Sequence, residues 1–198
     1  MAPLGRPCGG IAPIDVCGGR TVSSGIRDKW TPAVLPANPE AAPQGHRLVG
    51  DGGKLYAIDL DLRGADLSGG NFSESWFTEA LLSEVPLVGT DFYRADLEGA
   101  DLSGADLTES CLVRANLDET TLRLARLDHA NMVKASLHSV GASGASFQGA
   151  RLMDTSLGGV DLRGADLSGA VASETILRAR VWMGRPEFTA SQAQCLAL

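Results

Sequence analysis

The chain has 198 residues, 24 glycines, 9 prolines, 4 cysteines and a formal net charge of −7 at pH 7. The acidic balance excludes a general binder of nucleic acid or anionic membranes, because such a protein needs a basic surface. No stretch approaches the ~20 apolar residues of a membrane helix, and the first 19 residues lack the apolar run of a signal peptide. We therefore expect one soluble, cytoplasmic domain with an appendage.

Residues 1–54 form a segment with ten glycines, seven prolines and no apolar periodicity. Proline lacks an amide donor and glycine adds chain entropy, so this composition predicts a disordered leader. Its doubled Cys-Gly-Gly, at residues 8–10 and 17–19, leaves a metal or redox element open as a minor alternative. A mis-assigned start would explain such a leader better. Cys111, further along, is expected to be a reduced thiol, and we predict no metal and no cofactor.

A strand pattern follows the leader. Tyr56, Ile58, Leu60 and Leu62 are large and apolar or aromatic and alternate with Ala57 and two aspartates. This alternation predicts a strand that pairs with or caps the first turn of the next segment.

The dominant pattern is a five-residue repeat that occupies residues 55–184. Of 24 positions spaced five apart from Leu62 to Leu177, 22 hold Leu, Phe or Met, and the exceptions are Ala142 and Ala172. The residue two positions earlier is Gly, Ala, Ser, Thr or Val in 23 of the 24 cases. In an α-helix, large residues spaced five apart would be distributed around the helix axis, and in a β-strand they would alternate between its two faces. A fixed period with one buried phase predicts a solenoid in which stacked coils share a continuous core.

The repeat length suggests the geometry of that solenoid. If five residues make one side of a square coil, twenty make a turn, and each large residue points inward. Residues 60–184 then form about six coils, in a rod roughly 30 Å tall at the spacing of paired strands.

The clearest repeats identify a family. They are Ala65-Asp66-Leu67-Ser68-Gly69, Ala100-Asp101-Leu102-Ser103-Gly104 and Ala165-Asp166-Leu167-Ser168-Gly169. This tandem A(D/N)LxG pattern resembles the pentapeptide-repeat proteins over about two thirds of the chain. The resemblance implies an all-β fold, the right-handed quadrilateral β-helix.

Two segments leave their structure open. Residues 76–90 are the weakest repeats and predict either a degenerate coil, which we favour, or a short helix bulging from the rod. Residues 185–198 predict a cap, with a capping box at Thr189–Gln192 and a short helix from about residue 190. The open end of a β-stack exposes unpaired backbone groups and needs a cover, which this cap would provide. Alternatively, the same residues form a homodimer interface between the C-terminal ends of two chains. The candidates are Trp182, Met183, Phe188 and Leu196.

A twenty-residue turn sorts the outward residues into four faces. Face 1 is centred on Leu62 and Leu82, and face 2 on Leu67, Leu87, Leu107 and Leu127. Face 3 is centred on Phe72, Phe92, Leu112, Met132 and Leu152, and face 4 on Phe77, Leu97, Leu117 and Leu137. Face 1 has a net charge of −1 and face 3 is neutral.

Faces 2 and 4 are acidic. Face 2 has five acids against Arg126, a net charge of −4, and face 4 has five acids against Arg178, also −4. The acids of face 2 are Asp66, Asp106, Glu109, Asp128 and Asp166. Those of face 4 are Glu79, Asp96, Glu98, Asp118 and Glu119.

Regularly spaced carboxylates can imitate the phosphates of DNA. The MfpA and Qnr branch of the family has this property and binds DNA gyrase, so the resemblance implies a gyrase modulator that gives quinolone tolerance as one hypothesis. The alternative is that the acids only keep the rod soluble.

Face 3 carries two unusual columns of outward residues. The first column is apolar and contains Tyr93, Val113, Val133 and Met153. The second column is basic and contains Arg94, Arg114 and Lys134. An exposed apolar column predicts a partner-binding patch, although stacked β-branched residues also stabilise neighbouring strands without any partner. We therefore hypothesise a protein-interaction scaffold that uses this face.

The sequence lacks a recognisable catalytic arrangement. His46, His129 and His138 have no matching nucleophile, and the last two fall on different faces. We accordingly predict that the protein is not an enzyme.

Overall fold

The structure is a computed structural model that describes residues 54–172. Throughout this range the chain repeats one five-residue unit, which consists of a bridging residue, an inward residue, two turn residues and a small residue. The described residues contain no helix, and their strands are reduced to isolated bridges. Every bridge is parallel and joins residues twenty apart, from Tyr56 and Trp76 to Arg151 and Val171. The predicted coil of four five-residue sides is therefore confirmed.

Backbone hydrogen bonds run along the stack and around each corner. The amide of Leu102 donates to the carbonyl of Thr121 one coil above (2.8 Å), and the amide of Thr121 donates down to Ala100 (3.0 Å). At the corner, the amide of Ala105 donates to the carbonyl of Leu102 (3.0 Å). This pattern repeats around the rod, so the polar backbone is satisfied without long strands.

The second turn residue of each unit has a left-handed backbone. All 23 of these positions from Asp59 to Gly169 have positive φ, of which 10 are glycine and 13 are not. This φ is the one that a type II turn requires, and only glycine adopts it without steric cost. The corner thus explains the glycine that ends the clearest repeats.

The core is one continuous cluster of large side chains, to which each coil contributes one inward residue from each of its four faces. Every inward residue from Leu62 to Leu157 is buried. Near the lower end, the rings of Phe72, Phe77 and Phe92 pack together with centroids 5.3–5.6 Å apart. The small residues line the same interior, and their size leaves room for the large ones.

Hydroxyl groups at the small position are buried and differ in their bonding. Thr120 Oγ1 donates to the carbonyl of Leu117 (2.7 Å), and Thr155 Oγ1 donates to that of Met132 (2.9 Å). Ser110 Oγ is also buried but has no hydrogen-bond partner. A buried hydroxyl without a partner carries a desolvation cost.

We expect Ser110→Ala to stabilise the protein by about 1 kcal/mol, because the change removes an unpaired buried hydroxyl. Alanine already occupies this position in many other units, so the smaller side chain fits the backbone. Urea unfolding followed by circular dichroism measures the effect. Thr120→Ala is the matched control and should lower stability. Equal losses in both variants would contradict the interpretation.

The weak repeats at residues 76–90 stay in the rod, as we favoured. Trp76, Leu81 and Pro86 all bridge to the coil above, and Phe77, Leu82 and Leu87 are buried.

The predicted strand at Tyr56–Leu62 is wrong. These residues already follow the five-residue unit, with Ala57 fully buried at the inward position and Ile58 exposed at the turn. Tyr56 does pair with the next coil, through a bridge to Trp76 and a ring stack at 4.7 Å. The predicted leader and C-terminal cap lie outside the described residues, apart from Lys54.

Candidate partner-binding surface

The aspartate of the repeat has a structural role at the corner of the coil. Asp or Asn at the bridging position accepts a hydrogen bond from the amide two residues later, which is an Asx turn. Asp66 accepts from Ser68 (3.1 Å), and Asp96 accepts from Glu98 (3.1 Å). The same bond forms at Asp61, Asn71, Asp91, Asp101, Asp106, Asn116, Asp161 and Asp166.

Ser136 and Ser146 stand at the bridging position in place of Asp or Asn. There an aspartate from the coil below accepts the hydrogen bond that the Asx turn would otherwise make. Asp118 Oδ1 accepts from Ser136 Oγ (2.6 Å) and from the amide of His138 (2.8 Å), one coil above. Asp128 Oδ1 makes the equivalent bonds to Ser146 Oγ and to the amide of Gln148. Many of the predicted DNA-mimicking acids therefore also hold the backbone, so their presence alone does not indicate a partner.

The charge of face 2 is partly neutralised. Arg126 Nη1 lies 3.2 Å from Asp106 Oδ2, and Arg126 Nη2 lies 3.5 Å from Asp128 Oδ2. Hydrogen bonds from Ser168, and a further one from Gln148, lower the pKa of Asp166 below its usual value. This face presents carboxylates that are engaged with neighbours.

Face 4 has the less balanced charge. Between residues 56 and 159 this face contains six acids, the five named above and Asp59, and it contains no lysine or arginine. Asn116 Nδ2 donates to Asp96 Oδ1 (3.1 Å) and to Glu98 Oε2 (3.2 Å), which holds two of the carboxylates close together. Arg178, which the sequence assigns to this face, lies outside the described residues.

The apolar column of face 3 forms a second cluster, separate from the core. Cys111, Val113 and Val133 are buried in it, and Tyr93 and Met153 pack against them. All of these side chains lie on the outside of the coil, at bridging or turn positions. The structure therefore places a small apolar cluster on one outer face of the rod.

The basic column runs beside this cluster. Arg94, Arg114 and Lys134 are exposed and occupy the same turn position in three successive coils. The Arg94 guanidinium lies 5.3 Å from the centroid of the Tyr93 ring, within the range of a cation–π contact. Below it, the ammonium of Lys54 lies 2.7 Å from Glu74 and lowers the pKa of that carboxyl.

All seven predicted partner-binding residues thus fall on one face, with one feature that the sequence did not indicate. Val113 and Val133 are buried, whereas Tyr93, Met153 and the basic side chains are at least partly accessible. The expectation of a reduced thiol at Cys111 is wrong, because Cys111 forms a disulfide. The C-terminal candidates Trp182, Met183, Phe188 and Leu196 lie outside the described residues.

The two histidines among the described residues lie on different faces of the rod. His129 lies on face 2 and His138 on face 4, where His138 Nε2 is 3.0 Å from Ser156 Oγ. Among residues 54–172, no group of three or more His, Cys, Asp or Glu could hold a metal ion, and no helix is long and apolar enough to span a membrane.

Comparison with solved structures finds similar repeat proteins. HetL, a pentapeptide repeat protein involved in heterocyst differentiation regulation in Nostoc sp. strain PCC 7120, is 25% identical with a TM-score of 0.50. The match covers 60% of this chain and 65% of HetL, which is slightly less than two thirds of that protein. Rfr23 from Cyanothece 51142 is 26% identical with a TM-score of 0.46, over 60% of this chain and 88% of its own.

A third structure is more distant. QnrB1, a plasmid-mediated fluoroquinolone resistance protein, is 20% identical with a TM-score of 0.25, over 60% of this chain and 82% of its own. This similarity supports no inference about function. No curated protein sequence matches the chain.

The family assignment comes from the repeat itself. The family model described as pentapeptide repeats matches eight copies, in residues 57–84, 87–123, 122–159 and 143–178, which together cover more than half of the chain. Proteins of this family fold as right-handed β-helices and are generally non-enzymatic. The twenty-residue coil of residues 54–172 agrees with that fold, and the chain belongs to the pentapeptide repeat family.

Proposed function

We propose that this protein is a non-catalytic interaction scaffold that binds a protein partner through face 3. The observation that carries the proposal is the second apolar cluster. Tyr93 and Met153, the partly exposed members of this cluster, place apolar surface beside charged side chains, and an exposed apolar patch with a polar rim marks an interaction site. Here the cluster adjoins three aligned cations, so the fitting partner presents an apolar segment next to carboxylates.

The basic column offers the cleanest test, because its side chains are exposed and their replacement leaves the core untouched. We expect Arg114→Glu with Lys134→Glu to weaken capture of the partner about tenfold or more, since like charges then face the partner's carboxylates. Quantitative affinity purification under reducing conditions measures the retained fraction. The matched control is Arg63→Glu with Arg123→Glu, which makes the same charge change on face 1. Equal retention by both variants would refute the role of face 3.

A second candidate function follows from face 4. Its uninterrupted acids favour a protein that occupies the basic DNA channel of DNA gyrase and gives tolerance to quinolones or other gyrase poisons. The carboxylates of Asp96 and Glu98 lie close together beside Asn116, which supports this alternative. Its weakness is that other acids, such as Asp118, have backbone partners of their own.

A supercoiling assay separates the two functions. The gyrase hypothesis predicts that the purified protein inhibits supercoiling or protects gyrase from a quinolone, and that Glu98→Gln with Glu119→Gln weakens the effect. The side chains of these two glutamates take no part in the Asx turns, in which Glu98 uses only its backbone amide, so the variant should fold normally. A protein with neither activity would eliminate the hypothesis and leave the scaffold unaffected.

The cytoplasmic location and the homodimer through the C-terminal ends also stay predictions. Light scattering of the purified protein tests the second. A monomer at micromolar concentration would remove it.

A further inference from the structure

The apolar and basic columns of face 3 are hydrogen-bonded to each other through the backbone. Each amide of the basic column donates to a carbonyl of the apolar column one coil above (3.0 Å each): Arg94 to Val113, Arg114 to Val133 and Lys134 to Met153. A peptide that binds as an extra strand needs a row of unpaired amides and carbonyls at a sheet edge, and the side of this rod is not such an edge. A partner segment on face 3 must therefore satisfy its own backbone, as an α-helix does.

The spacing of the cations fits a helix that runs along the rod. Arg94, Arg114 and Lys134 occupy the same turn position in three successive coils, so their backbones span about 9.6 Å at strand spacing. Residues i, i+4 and i+7 of an α-helix span about 10.5 Å. Residues i, i+2 and i+4 of a strand span roughly 13 Å. An acidic stripe on a helix can thus face all three cations.

Arg114, at the centre of the basic column, has no ion-pair partner among residues 54–172. On other faces, arginines lie within 3.2 Å of an aspartate, as Arg63, Arg126 and Arg163 do. Arg114 instead stands between cations in the coils above and below, and stacked like charges destabilise each other. Carboxylates of a partner would relieve this repulsion.

Acids limit the length of the basic column. Glu74 and Asp154 occupy the same turn position at its lower and upper ends. A partner therefore needs its acids in the middle of the helix and none beyond. Beside the cations, Tyr93 and Met153 lie three coils apart, roughly 14 Å at strand spacing, which is the length of about ten helical residues.

We propose that the partner segment for face 3 is an acidic amphipathic helix that lies along the rod. Its apolar stripe contacts Tyr93 and Met153, and its central carboxylates pair with the basic column. This inference rests on the proposed function of face 3. A second copy of this chain is a poorer occupant, because Asp96 and Asp118 on its acidic face 4 already accept backbone hydrogen bonds.

A peptide library tests the proposal without a natural partner. Random peptides of about 16 residues, long enough for the contact, are displayed on phage and selected on the full-length protein under reducing conditions. We expect Arg94→Glu with Arg114→Glu to bind the enriched peptides at least about tenfold more weakly. The matched control on face 1, Arg63→Glu with Arg123→Glu, should bind them normally. Their sequences should have apolar residues at i, i+3 or i+4, and i+7, with acids beside this stripe.

The best peptide provides a second readout, which concerns its conformation and its register. Proline at a central position should weaken binding at least about tenfold because it interrupts a helix, whereas proline at the first helical position should be tolerated. Lysine in place of the central acid should weaken binding to the original protein and restore binding to Arg114→Glu, because the two charges are then exchanged.

Three results would overturn the helix, and they have different consequences for the scaffold. Peptides that need Arg94 and Arg114 but alternate apolar and polar residues, or tolerate central proline, would refute only the helix. Self-association that Arg94→Glu with Arg114→Glu abolishes would make a second copy the occupant. If no enriched peptide depends on the two arginines, the helix also fails, and affinity purification with Arg114→Glu and Lys134→Glu then decides whether the scaffold fails with it.

Discussion

Phe92→Ala should lower the free energy of unfolding by about 3–5 kcal/mol, the largest loss expected from a single side chain in this protein. Phe92 is fully buried, and its ring lies 5.6 Å from that of Phe72 and 5.4 Å from that of Phe77. The change therefore opens a cavity and removes two ring contacts. In a solenoid each coil contacts only its neighbours, so the coils on both sides lose support. Urea unfolding measures the loss.

Leu124→Ala is the control for this result. Leu124 is also a large apolar residue in the repeat, but it occupies the second turn position and is 72% exposed. Its replacement should change stability by no more than about 0.5 kcal/mol. Similar costs for the two variants would contradict the division of the repeat into inward and outward positions.

Deletion of Leu124 should have a still larger effect, because it shifts every later residue by one position. Asp128 would then replace Leu127 at the inward position, and His138 would replace Leu137. If the chain instead kept its register beyond the deletion, the side around Leu122 would have only four residues and its corner would lack a turn residue. Either outcome exceeds what a domain with a stability of roughly 5–15 kcal/mol tolerates. We expect the chain beyond residue 124 to become sensitive to limited proteolysis.

Insertion of a whole unit should be tolerated at the same place. Ala-Asp-Leu-Ser-Gly added after Leu124 keeps every later inward residue inward and rotates the upper coils by a quarter turn. We expect this variant to retain the circular dichroism spectrum and the protease resistance of the original protein. Equal damage from the deletion and the insertion would contradict the five-residue register.

The core could be predicted from the sequence because its signal is repeated in every unit. One phase of the repeat is large and apolar in 22 of 24 units, so a few substitutions such as Ala142 do not hide it. The same redundancy failed at the start of the rod. There the inward residue is the small Ala57, and the large neighbours Tyr56 and Ile58 imitated a strand.

The surface was predictable only in part. The spacing of twenty placed Arg94, Arg114 and Lys134 in one column, because stacking follows from the period alone. The A(D/N)LxG pattern contains the signal for the Asx turns of Asp66 and Asp96, because an Asp or Asn precedes the inward residue in each clear repeat. The charge of these aspartates suggested a partner-binding role, whereas the structure shows that they bind the backbone. The burial of Val113 could not be predicted from the repeat, because Ile58 and Val88 occupy the same turn position and are each 38% exposed.

The central claim is that function lies in the alignment of residues on face 3, and the rotated variant tests it most directly. The unit inserted after Leu124 moves Val133 and Lys134 to the next face but leaves Arg94 and Arg114 in place. The same unit inserted after Gly159 is the control, because it leaves the apolar and basic columns intact. We predict that, under reducing conditions, the first variant binds the partner at least about tenfold more weakly than the wild type, while the control binds it normally. Wild-type binding by the first variant would contradict the claim.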